Sequence, residues 1–191
     1  VDRQIGTAMQ DTLERLAQAS RIFTGIGNMV IVAGKNERVR LADEVFAHQP
    51  NLLASVLVLQ RMGVSLQQMD VPIYILLVAY QAMKTSGHTW PLISQDTQEA
   101  CLRRLTGRVR FAEGLGHGLL EQSTQQYIDE HREPYLLAFA YGHLQDNELL
   151  GARTEAEKSL LLAALNLVDC IAFMSVPVRP PSSARSVPTS P

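Results

Sequence analysis

The sequence predicts an all-α protein. A single-domain, multi-helix bundle-like array spans residues 1–174, and an extended or disordered Pro/Ser-rich tail follows at 175–191. Three observations carry this. The stretch Thr154–Met174 opens with a capping box, in which Thr154 can accept from the backbone N–H of Glu157 and Glu157 can reach back. Its body, Leu160 to Phe173, is apolar on nearly every face, as in a helix buried on all sides. Helix start and stop signals also punctuate the rest of the chain, with short connections and no convincing strand pair. Finally, the tail holds five of the nine prolines and no acidic residue, a composition that cannot build a core. The count comes to about seven to nine helices with essentially no sheet.

The elements follow in order. Residues 4–24 carry a helical stripe of Ile5, Met9, Leu13, Leu16 and Phe23. Gly25 and Gly27 interrupt it, and Met29–Ala33 is helical or irregular. Asn36 can cap a helix over Glu37–His48, whose inward stripe would be Val39, Ala42, Val45 and Phe46. Pro50 ends it, and Asn51 can cap the apolar run Leu52–Met62. Gly63 suits the left-handed position after a helix. Ser65 and Gln68 form a second capping box, opening a long helix to about Ser86. Pro72 lies beyond its first turn, so a kink or a break into two helices is expected there. After the link around Trp90 and Pro91, Ser94 or Asp96 caps a helix to about Glu113. Gly114, Gly116 and Gly118 stop it. Two further helices follow, at about 118–131 and 135–145, with Pro134 between them.

Composition excludes several functions. The chain is 46% hydrophobic and 19% charged, with net charge −2, so nothing global draws it to nucleic acid or an anionic membrane. Cys101 and Cys170 sit in apolar helical patterns and read as reduced core residues of a cytoplasmic protein, although spacing alone leaves a disulfide open. Residues 1–16 carry charges and lack an apolar segment, so no signal peptide is expected. The missing initiator Met leaves room for a longer natural chain. The run 159–176 contains Asn166 and Asp169, which a bilayer would penalise, so no membrane partner is expected.

Motifs for chemistry fail on inspection. Gly25-x-Gly27-x-x-Val30 lacks the preceding strand and third glycine of a dinucleotide fingerprint, and Gly34-Lys35 lacks the rest of a P-loop. The five histidines form no HxxxH or HExxH. Glu113 and His117 are separated by glycines. Asp129, Glu130, His131 and Glu133 are ligand types but read as a solvated helix end before Pro134. No catalytic residue, cofactor or metal is assigned.

Two local features stand out. Arg103, Arg104, Arg108 and Arg110 cover one arc of a helix, with Gly107 and Phe111 among them, and Leu102, Leu105, Val109 and Ala112 lie opposite. Such a face can be solvated, paired within the chain, offered to an acidic partner, or used on nucleic acid, where arginine meets phosphate and an aromatic ring stacks on a base. The second feature is Asn166 with Asp169, three apart on the most apolar helix. They mark its one wet face, a buried hydrogen bond or ion pair, or a functional site. An arginine of the basic helix is the first partner to look for.

The strings Ser20-Arg-Ile-Phe-Thr-Gly-Ile-Gly27, Pro50-Asn-Leu-Leu-Ala-Ser55 and Thr106-Gly-Arg-Val-Arg110 resemble a family of uncharacterised bacterial proteins encoded with plasmids and integrative conjugative elements. The resemblance spans roughly residues 15–175. It implies an accessory or regulatory role in maintaining or transferring a mobile element, and carries no catalytic residues with it.

The functional expectation is a non-enzymatic helical interaction protein. It would be a homo-oligomer or bind a helical partner, because Leu52–Leu59, Ile73–Ala79 and Leu160–Val168 compete for one interior. One alternative is a nucleic-acid-associated protein using the arginine face and the tail's Arg179 and Arg185. Another is a small-ligand-binding bundle or enzyme, marked by a pocket where His117 or His131 converges with carboxylates. Pro177-x-x-Pro180 reads as a linker or a polyproline ligand.

Overall fold

The computed structural model describes residues 34–85, 90–113 and 117–174. The expected N-terminal stripe, Gly25 and Gly27, Met29–Ala33 and the tail lie outside them. Among the described residues the fold is all-α. Its helices are α1 (Gly34–His48), α2 (Pro50–Leu57) with a 3-10 extension (Val58–Met62), α3 (Leu66–Thr85), α4 (Gln95–Glu113), α5 (His117–Glu130), α6 (Pro134–Asp146) and α7 (Glu155–Met174). None is long and apolar enough to cross a membrane.

Local chemistry sets most of the boundaries. Pro50 opens α2 at its first turn, where a missing N–H costs nothing. Gly63 ends the 3-10 turn at φ +92°, a backbone conformation in which a Cβ is strained. Both capping boxes form. Ser65 Oγ accepts from Gln68 N at 3.2 Å, and Gln68 Oε1 accepts from Ser65 N at 3.2 Å. Thr154 Oγ1 accepts from Glu157 N at 3.1 Å, while Glu157 Oε2 accepts from the N–H groups of Arg153 and Thr154 at 2.7 and 3.2 Å. The break expected at Pro72 does not occur, and α3 is one helix with Pro72 buried inside it. Proline removes the bond to the Gln68 carbonyl, but Met69, Val71, Ile75 and Leu76 are all buried around it, so packing holds both halves in one element.

The α7 cap yields a prediction. The backbone N–H groups of Arg153 and Thr154 hold the Glu157 carboxyl below its ordinary range. A depressed folded pKa contributes stability that is complete above the unfolded carboxyl's pKa and is lost as pH falls through the folded value. Glu157→Gln should therefore melt below the native protein at neutral pH, and the gap should close in acid. Thr154→Ala, which removes the other half of the box, should cost about 1 kcal/mol at neutral pH in urea titrations and less in acid, because the Thr154 hydroxyl also helps hold the Glu157 carboxyl down.

The interior is organised around α3 and α7, each packed against several other helices. Leu52, Leu59, Ile75, Leu76, Leu160 and Ile171 are all at most 2% exposed and belong to one core. The three apolar runs thus share one interior, because their outward members, such as Leu57 and Val58, are left at the surface. Self-association has to be argued from the surface rather than from crowding.

Two expected faces are rotated. In α1 the inward stripe is Leu41 and Val45, continued just past the helix by Gln49, with Ala42 packed against the core as expected, whereas Val39 and Phe46 are exposed. In α4 the inward seam is Gln98, Cys101 and Leu105, which leaves Leu102 and Val109 at its edges. That seam faces α7 in the most extensive helix pairing among the described residues. The contacts Gln98 to Asn166, Cys101 to Cys170 and Arg104 to Phe173 advance together along both helices. So α4 and α7 run parallel, with α5 and α6 making the return connection.

Candidate functional site

The site grows from the parallel pair. On α7, Asp169 and Phe173 are four apart, so they lie one above the other on one face. On α4, Arg104 and Arg108 share that spacing, and so do Tyr127 on α5 and His131, the residue just past its end. The three pairs meet. Tyr127 donates its hydroxyl to Asp169 Oδ1 at 2.6 Å. His131 Nε2 lies 3.1 Å from the same oxygen. Arg108 Nη1 is 4.0 Å from Asp169 Oδ2, and its guanidinium lies 4.6 Å from the centre of the Tyr127 ring. Arg104 stacks over Phe173 at 4.8 Å and donates to Cys101 Sγ. These groups border a cleft of about 610 Å³ that also takes in Tyr141, Glu130 and Arg132.

The hydrogen bonds assign protons. The backbone N–H of Glu133 points at His131 Nδ1, 3.2 Å away. That nitrogen must accept, so the proton sits on Nε2 and is donated to Asp169. Both imidazole nitrogens are thereby committed. Burial, then the hydrogen bond to Asp169, pushes the Tyr127 phenol well above its ordinary range, and Tyr141 rises through burial and the same carboxylate. These phenols keep their protons. Cys101 and Cys170 are buried free thiols, and burial together with its neighbour Cys101 raises the thiol of Cys170, which keeps it a poor nucleophile.

The sequence-derived residues divide between two surfaces. Arg104 and Arg108 lean onto α7 and α5 yet remain exposed. Arg103, Arg110 and Phe111 are also exposed, on the outer side of α4, and Phe111 reaches 65%. Among the described residues, neither Arg103 nor Arg110 has an ion-pair partner. Asn166 and Asp169 do not form a pair with one another. Asn166 is buried against α4 and donates Nδ2 to the Gln98 carbonyl at 3.2 Å. Asp169 faces α5 and Arg108.

Sequence reasoning missed Tyr127, Tyr141 and Phe173; it read His131 as part of a solvated cluster but also as a histidine that could meet carboxylates in a pocket, and the cleft does bring it to Asp169. In the fold, Asp129 and Glu130 are exposed while the His131 side chain turns inward to 5% exposure. Among the described residues no group of three His, Cys, Asp or Glu could hold a metal ion. The Glu113 and His117 side chains lie outside the described set. Compared with known families, curated proteins and solved structures, the chain matches no family model, no curated protein and no solved structure.

Proposed function

We propose that this is a non-enzymatic helical interaction protein that engages a polyanionic partner, a nucleic acid backbone, through the arginine face of α4. The observation that supports this reading is the exposed Arg103–Phe111–Arg110 surface. It has no ion-pair partner among the described residues and sits beside Arg104 and Arg108. The inner pair is pre-ordered by its aromatic platforms, Phe173 and Tyr127, so less side-chain freedom is lost on binding. Free guanidinium groups meet phosphates bidentately, and Phe111 offers a ring on which a base can stack. The chemistry of the cleft argues for recognition rather than turnover, because its imidazole and its phenols are committed to Asp169 or hold their protons. An accessory role on a mobile element, as the resemblance implies, suits a nucleic acid partner.

With a net charge of −2, the whole protein does not attract polyanions, so affinity must come from local arginines, this face first among them, and fall steeply with salt. In anisotropy titrations with a fluorescent oligonucleotide at low salt, Arg103→Glu with Arg110→Glu should weaken binding by about tenfold or more and leave the melting curve unchanged. No complex at low salt, or a complex indifferent to the double reversal, disproves the reading.

A further inference from the structure

A second cleft, of about 400 Å³, opens between α2 with its 3-10 extension, α4 and α7. Its rim is apolar and open, with Val58, Met62 and Leu102 exposed by 45%, 52% and 37%. Leu162 and Ala163 line it from α7, and Asn166 joins them. Asn166 is 93% buried, since only 7% is exposed. Its Nδ2 is held by the Gln98 carbonyl, which rules out the flipped amide. The Oδ1, itself shielded from solvent, has no hydrogen-bond partner among the described residues. A buried acceptor left unpaired is costly, and this one stands beside a cleft of ligand size.

We propose that this cleft binds a small neutral molecule with an apolar body and one hydrogen-bond donor, of the phenol or alcohol class, which donates to Asn166 Oδ1. The lining selects the class. Seven of its fifteen lining residues are aliphatic or methionine and the other eight are polar; none of the fifteen is basic, and Glu99, the one charged residue among them, stands in its wall. A carboxylate ligand would meet that acid and find no counter-charge, so fatty acids are disfavoured. The donor reaches the oxygen by displacing flexible rim side chains, of which unbranched Met62 is the most adaptable. The site is separate from the arginine face and does not depend on its function.

The test titrates the full chain with para-propylphenol, its methyl ether, and octanoate, followed by calorimetry and by amide NMR shifts. The phenol should bind saturably, shift resonances around Leu102 and Asn166, and bind about tenfold more tightly than the ether, which has the same shape but no donor. Octanoate should bind least. Leu102→Trp, which fills the cleft, should abolish the phenol shifts. If that variant misfolds, the comparison of the two ligands in the native chain still decides. Equal affinity for phenol and ether, tighter binding of octanoate, or no saturable binding overturns the proposal. So does a dimer in sedimentation that Met62→Glu dissociates, because the occupant would then be a second copy of the chain.

Discussion

Asp169→Ala is expected to destabilise the protein by about 3 kcal/mol, because it orphans two donors at once. The Tyr127 hydroxyl, 2.6 Å away, and His131 Nε2, 3.1 Å away, both converge on Oδ1, and the carboxylate side chain is 10% exposed. Hydrogen bonds to a charged acceptor contribute more than neutral ones, and a buried donor left without a partner loses its full desolvation cost. Arg108 adds little, since it is half exposed and 4.0 Å distant, which is the regime of weak surface pairs. Asp169→Asn should recover part of the loss by keeping one acceptor. Tyr127→Phe in the Asp169→Asn background should cost less than in the native chain, the sign of a shared interaction. Urea unfolding measures all three, and a loss under about 1 kcal/mol for Asp169→Ala would show that α5 is held by other contacts. The same substitution removes a carboxylate facing Arg108, so it should raise affinity for a polyanion rather than lower it. A residue that bound the partner directly would give the opposite sign.

The fold class was legible because its signals are local. Capping boxes at Ser65 and Thr154, the stop at Gly63 and the apolar run of α7 each need only a few neighbouring residues. Register is different. The inward stripe of α1 is continued past its last residue by a glutamine, and no hydropathy pattern assigns Gln49 to a core. At Pro72 a kink or a break was the local expectation, and tertiary packing overrode the break. The cleft was less legible still. Asp169, Tyr127 and Arg108 come from three helices, and nothing in their spacing says that α4 and α7 lie side by side in parallel. With that known, the matching four-residue spacings of Arg104/Arg108, Tyr127/His131 and Asp169/Phe173 become informative. Without it, each pair is an ordinary amphipathic feature. The arginine face could be read early because it sits within one helix, but what covers it is a question about other elements.

Gln49 carries the other large effect, and it was invisible for the same reason. It follows the last residue of α1, ahead of Pro50, where sequence reading sees only a linker. In the fold it is 2% exposed. Its Nε2 donates to the Pro91 carbonyl and its Oε1 accepts from the Ile93 N–H, each at 2.9 Å. One amide thus satisfies two backbone groups of the segment that leads into α4, and Asn51 Nδ2 adds a third bond to the Ile93 carbonyl at 3.0 Å. The segment has no helix of its own to absorb those groups, while Ile93 beside them is fully buried. Gln49→Leu keeps the volume but strands the buried Ile93 N–H and removes the donor from the part-buried Pro91 carbonyl, so the expected cost is about 2 kcal/mol. Gln49→Asn keeps the amide one methylene too short to reach both groups and should fall between Leu and the native residue. Hydrogen exchange separates this from a general loss of packing. The Ile93 amide should lose protection in both variants by more than the global change, whereas the amides of α3 should follow global stability alone. If the Ile93 amide instead tracks the rest of the chain, the clamp is not what fixes the approach to α4. The arginine face would then be positioned by the seam between α4 and α7 alone.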